Sequence, residues 1–332
     1  MFGTLRLLLA LLVAISHVGY DRSWGVTAVV VFYLISGFVM TGLVRKYYLG
    51  GAAALHFYID RAARIYPQYL FFLCLTALLL AVSGIESGYV SGQVNAKSVL
   101  YNLTIVPLNF FMFNGIDKVT LLPPAWSLGT EVQFYMILPF ILINGWTRCF
   151  LALSLIIFSF ASFQIINIDW YGYRLLPGVL FIFLTGSLLY DYSSGDKTLG
   201  RSILGLCLYM SALFLAVAVI RGAGLPANKE VFIGFLLGAT VVLYLSSFKR
   251  KLLDEVMGNI SYGVFLSHCL VLFFAQRYGL FDPKASPVMY LSSAIVLGVV
   301  GFYAVERPFV QFRRQFRLAK VGPEISQMSK DT

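Results

Sequence analysis

Apolar stretches about 20 residues long dominate this chain, and that is the length a helix needs to cross the hydrocarbon core of a bilayer. Ten can be delimited, at about 4–20, 25–44, 66–84, 126–146, 149–166, 175–191, 203–220, 231–247, 259–276 and 287–305. In lipid each such segment has to satisfy its own backbone hydrogen bonds, so each is a helix. Composition agrees with this. Hydrophobic residues make up 59% of the chain and charged residues 12%, whereas soluble domains have about 45–50% apolar residues and about a quarter charged. Side chains so poor in charge cannot cover so apolar a core in water. The expected fold class is all-α, a polytopic transmembrane helical bundle of about ten spans. Residues 99–115 are apolar but interrupted by Asn102, Pro107 and Asn109, and are expected to be a re-entrant or interfacial piece.

Basic residues orient the bundle. With the N-terminus inside, 17 of the 25 Lys and Arg residues fall in cytoplasmic segments and 8 outside, so both termini are expected to be cytoplasmic. The net charge of +10 is thereby explained without nucleic acid as a partner. Arg6, the apolar run after it and Ala14-Ile15-Ser16 also have the form of a signal peptide. Cleavage there would leave an odd number of spans with the charge bias reversed, so the segment is read as a span. Residues 1–310 form one expected transmembrane domain, and 311–332 a short basic cytoplasmic tail. Cys74, Cys149, Cys207 and Cys269 lie in apolar runs without metal-ligand spacing, so no metal is expected.

An ionisable side chain at the centre of a membrane helix costs about 2.5–3.5 kcal/mol on insertion scales, which marks each one as a functional candidate. Arg6 and His17 are eleven residues apart, close to three helical turns, and therefore share a face of the first span. Glu131 begins the fourth span, which runs inward, so it is expected at a depth like that of His17. A carboxylate and an imidazole at one level suit general-base chemistry. Arg61 and Arg64 share a helical face before the third span, where two guanidinium forks can grip phosphates. His268 lies within the ninth span and either lines the same cavity or makes a structural hydrogen bond.

Together these segments resemble the acyltransferase 3 family of integral-membrane acyltransferases, which O-acetylate sugars of surface glycans. The resemblance rests on Arg6 and His17, ten residues between them, and on Phe32-Tyr-Leu-Ile-Ser36-Gly37-Phe38 in the second span. It rests also on Arg61-Ala-Ala-Arg64-Ile-Tyr-Pro67, on Trp126-Ser127-Leu128 through Glu131 to Phe134-Tyr135, on Ser261-Tyr262 to His268, and on Glu306-Arg307-Pro308. The resemblance implies a donor, acetyl-coenzyme A or another acyl-coenzyme A, on the cytoplasmic side, with arginines that serve it and an essential His17. The expected catalytic residues are His17 and Glu131, and the donor-binding residues Arg6, Arg61 and Arg64. Ser36, Trp126, Ser127, Tyr135 and His268 are expected to bind substrate. The acceptor is expected to be a glycan or lipid-linked saccharide, reached in the inner membrane among its lipids. A transporter or flippase using the same buried charges is the alternative; the juxtamembrane arginine pair has no role in it.

Overall fold

In the computed structural model the described residues are 2–48, 53–83, 91–222, 228–249 and 251–318. Among them there is no strand. Thirteen α-helices follow one another: α1 (Phe2–Ser16), α2 (Arg22–Tyr47), α3 (Ala53–Ser83), α4 (Ala96–Thr104), α5 (Phe111–Asn114), α6 (Ala125–Ile143), α7 (Thr147–Ser162), α8 (Leu176–Ser193), α9 (Gly200–Arg221), α10 (Asn228–Ser246), α11 (Leu252–Tyr278), α12 (Pro287–Gly301) and α13 (Arg307–Leu318). Short π-helical segments precede α8 (Trp170–Arg174) and join α12 to α13 (Phe302–Glu306).

Among the described residues eight helical stretches are long and apolar enough to cross a membrane, and α1 and α7 are shorter apolar helices. The protein is a multi-pass membrane protein. Residues 99–115 form no long helix. They break into α4, a 3-10 turn and α5, with Ile105 in a left-handed conformation at the break (φ 67°). Asn102 ties this segment down by donating to the carbonyls of Ser98 and Val119, each at 2.9 Å.

Buried and outward-facing helices differ in their surfaces rather than in their apolarity. Residues 179–184 of α8 are all buried, whereas on α9 Leu208, Leu215 and Val219 are mostly exposed, the surface a membrane helix offers to lipid. Without a hydrophobic drive between helices in lipid, close packing needs small residues. Gly37 of α2 lies against the Phe183 carbonyl of α8, and Gly186 of α8 against the Leu34 carbonyl of α2. Any side chain at either position would push the two helices apart.

Helices α1 and α11 lie side by side and run parallel. At one end Asp254 of α11 accepts from the Thr4 N–H at 2.8 Å and from its hydroxyl at 2.9 Å. It thereby satisfies N–H groups that the first turn of α1 cannot pair itself. At the other end, the Tyr290 hydroxyl at the start of α12 donates to the Ala14 carbonyl at 3.3 Å. So α12 runs against α1 and returns its last residues to the end where α1 begins. The loop at the opposite end is fixed by Asp21, which accepts from the Ser23 N–H at 2.9 Å. That bond holds the Asp21 carboxyl below the usual carboxylate range.

Residues 311–318, expected within a polar tail, are helical. They belong to α13, which packs along α3. Residues 319–332 of that expected tail lie outside the described residues.

Candidate active site

His17 and His268 collect at one end of α1, and Arg6, Arg61 and Arg64 at the other. The imidazole level lies where α1 ends. His17 is in the turn just past Ser16, its backbone N–H bonded to the Ala14 carbonyl at 3.1 Å. Its Nδ1 donates to the Val13 carbonyl at 2.8 Å. A carbonyl only accepts, so this bond assigns the proton to Nδ1 and the lone pair of the neutral ring to Nε2. The ring of His268 lies 5.0 Å from it, tilted by 50°. His268 is fully buried, with Nδ1 3.3 Å from the Val264 carbonyl and Nε2 without a hydrogen-bond partner.

The guanidinium level lies where α1 starts. Arg64 pairs with Glu306, a buried carboxylate on the π segment, and its guanidinium stands 5.4 Å from the centre of the Tyr262 ring. Gln68, its side-chain nitrogen turned toward Glu306, donates to Oε2 at 2.8 Å and accepts from the Phe302 N–H at 3.3 Å. The π segment is what presents Glu306: the extra residue in the turn shifts the ladder and re-aims the side chain. Arg6 and Arg61 both lie within electrostatic reach of Arg64. Arg61 itself is buried and pairs with the adjacent Asp60.

Glu131 stands in a third cluster, from α2 and α6. It accepts from the Ser36 hydroxyl at 2.6 Å and from the Tyr135 hydroxyl one turn along α6. The cluster lies toward the guanidinium end. The Tyr135 ring is 6.1 Å from that of Phe57, and Phe38, two residues beyond Ser36 along α2, is 5.0 Å from Phe2. The carboxylate expected beside His17 thus has its hydrogen bonds to Ser36 and Tyr135, and the ring packed on His17 is that of His268.

Trp126 and Ser127 sit at the start of α6 among other partners. Arg174 lies 4.6 Å from the centre of the Trp126 ring, and Tyr173 packs on it edge-on at 5.2 Å. The Ser127 hydroxyl donates to the Pro124 carbonyl at 3.0 Å. A polar network of Asn109, Thr130, Gln133 and the Arg174 carbonyl pins residues 105–115 to α6 below them.

Sequence reasoning missed Asp60 and Tyr262 as site members and did not use Glu306 beyond its motif. The missed signal was charge balance: a carboxylate directly before Arg61, in a segment otherwise basic. Among the described residues no group of three or more His, Cys, Asp and Glu side chains is placed to hold a metal ion.

With this geometry in hand, the family match is decisive. A family model described as an acyltransferase domain matches residues 3–307. The chain belongs to the acyltransferase 3 family. The match spans all three clusters, and the protein is a membrane acyltransferase. Among relatives, an uncharacterized protein of Aquifex aeolicus is 39% identical over 157 residues, covering 45% of this chain and 69% of its own length. The exopolysaccharide production protein ExoZ of Rhizobium meliloti is 24% identical over 336 residues, covering 92% of this chain and 96% of its own. Nodulation protein 10 of Rhizobium leguminosarum bv. viciae is 24% identical over 326 residues, covering 89% and 84%. No solved structure matches.

Proposed function

We propose that this acyltransferase moves an acyl group, acetyl by preference, from coenzyme A to a hydroxyl of a surface glycan or lipid-linked saccharide in the inner membrane. The observation that carries this reading is the separation of labour along α1. A cluster of arginines, Arg6, Arg61 and Arg64, lies at one end and an imidazole with its lone pair on Nε2 at the other. Arg6 and His17 are eleven residues apart, which is about 16 Å of helix rise, a length suited to a slender thioester arm. The exopolysaccharide name of a relative aligned over nearly its whole length supports a saccharide acceptor.

In this mechanism Arg61 and Arg64 hold the donor's phosphates on the cytoplasmic side, and Arg6 guides the arm inward. His17 Nε2 takes the proton as the acceptor oxygen attacks the thioester carbon. The C–S bond then breaks, and the thiolate regains a proton from His17, leaving the new ester and free coenzyme A. Glu131, fixed by Ser36 and Tyr135, supplies negative charge beside the acyl path. Ser36 and Tyr135 line the donor's path beside Glu131, Trp126, Ser127 and His268 contribute to binding the acceptor, and the apolar surroundings keep water from the thioester.

The test is mass spectrometry of surface glycans from cells with the protein, without it, and with His17→Ala. Acetyl groups present only with the wild-type protein support the reading. Unchanged acetylation in the His17 variant removes His17 from the mechanism.

A further inference from the structure

Asp60 is completely buried, and three guanidinium groups converge on its one carboxylate. Arg61 is the adjacent residue. The other two come from α13: Arg313 Nε lies 3.1 Å from Oδ1, while Arg317 reaches Oδ1 at 3.1 Å through Nε and Oδ2 at 3.0 Å through Nη2. Arg313 and Arg61 are themselves buried. Three cations and one anion leave a surplus of two positive charges where solvent hardly reaches, an arrangement that is costly unless something else balances it. Beside them, Tyr48 at the end of α2 is 1% exposed with its hydroxyl unpartnered. It lies within electrostatic reach of Asp60, Arg317 and Arg61. A surplus of two, fork-shaped donors and a spare hydroxyl describe a receptor for a dianion with several oxygens.

We propose that Arg61, Arg313, Arg317 and Tyr48 form a binding site for a phosphomonoester dianion, with Asp60 as the scaffold that holds the forks in place. A phosphomonoester carries about −1.5 to −2 at neutral pH, which matches the surplus. A phosphodiester or one phosphate of a diphosphate bridge carries a single charge and leaves the site half balanced. This inference rests on the coenzyme A reading above and deepens it: the coenzyme's one phosphomonoester is the 3′-phosphate of its nucleoside. Helix α13 is then part of the donor site and not an appendage.

The experiment measures binding of coenzyme A and of 3′-dephospho-coenzyme A to the purified full-length protein in phosphatidylcholine nanodiscs. Wild type is expected to prefer coenzyme A by about tenfold or more, the worth of one or two charge-assisted hydrogen bonds. Arg313→Gln and Arg317→Gln should each bring the ratio toward one while dephospho-coenzyme A binds as before. The exposed neighbour Arg314→Gln should leave the ratio unchanged. Should the glutamine variants fail to fold, Arg313→Lys and Arg317→Lys keep the charge without the fork, and an intermediate ratio is expected. A wild-type ratio near one, or a ratio retained in every Arg313 and Arg317 variant, overturns the proposal. So does a site that answers only to a lipid phosphomonoester, seen as retention of phosphatidic acid that the arginine variants abolish while the coenzyme ratio stays near one. If wild type binds neither coenzyme, the donor reading itself falls.

Discussion

The ring of His268 packs 5.0 Å from that of His17, and His268 Nε2 has no hydrogen-bond partner although the residue is fully buried. A buried nitrogen without a partner is costly, and its retention next to a ring with a lone pair on Nε2 points to shared work. His17→Ala is expected to lower kcat by about 10²–10⁴, the worth of a general base. His268→Gln, which keeps a polar group of similar reach, should lower it less, and His268→Phe more than His268→Gln. Thiol release by purified variants in the presence of acceptor measures this. Equal rates for the two His268 variants would assign the residue to packing alone.

The Arg64–Glu306 pair separates structure from binding. Removing one partner of a buried pair costs about 3–5 kcal/mol because the other charge is left uncompensated. Glu306→Gln is therefore expected to lower the thermal midpoint markedly. The double variant Arg64→Leu with Glu306→Leu should regain much of that stability, since apolar replacements of a buried pair are often neutral. It should nevertheless stay inactive if Arg64 grips the donor. Thermal unfolding in detergent alongside donor binding gives both readouts.

Much of this was legible in the sequence, for reasons that differ by feature. The helices were legible because apolar length is a local property: α1–α3 and α6–α12 follow the ten apolar stretches with the broken 99–115 segment between them. Of these, α1 and α7 are shorter than the other eight, which are long enough to cross a membrane. Which side chains meet was not legible. Depth counted from the nearest apolar boundary set Glu131 level with His17, whereas its bonds to Ser36 and Tyr135 lie toward the guanidinium end. Residues 106–110 pack against α6, where Ile105 and Asn109 crowd Gly129, so that boundary does not measure depth in the bundle. Likewise the helical form of residues 311–318 was not legible, because Arg313, which they bury, is charged.

Gly37 offers a test of packing away from the chemistry. Its α-carbon lies against the Phe183 carbonyl, and an added methyl group has no room. Overpacking of this kind costs about 1–3 kcal/mol. Gly37→Ala is expected to lower thermal stability and to impair activity by shifting Ser36, the neighbour that donates to Glu131. Gly205, with open space around it, is the control: Gly205→Ala should change neither measurement.

Asp254 sets the register of α1 against α11, and its effect should be visible at the far end of both helices. It accepts from the Thr4 N–H and hydroxyl, and the same two helices place His17 on His268 nearly four turns later. Loss of a helix cap costs about 1 kcal/mol, so Asp254→Ala should lower the thermal midpoint by a few degrees. It should also reduce kcat, because a slip of α1 along α11 moves one imidazole past the other. Asp254→Asn keeps an oxygen acceptor for Thr4 and is expected to retain most stability and rate. Crosslinking of a cysteine pair introduced at Leu5 and Glu255 reads the register directly. Efficient crosslinking in wild type and in Asp254→Asn, but less in Asp254→Ala, is the expected pattern. Identical crosslinking in all three would show that glycine packing between Gly3 and Gly258, and not the cap, fixes the two helices.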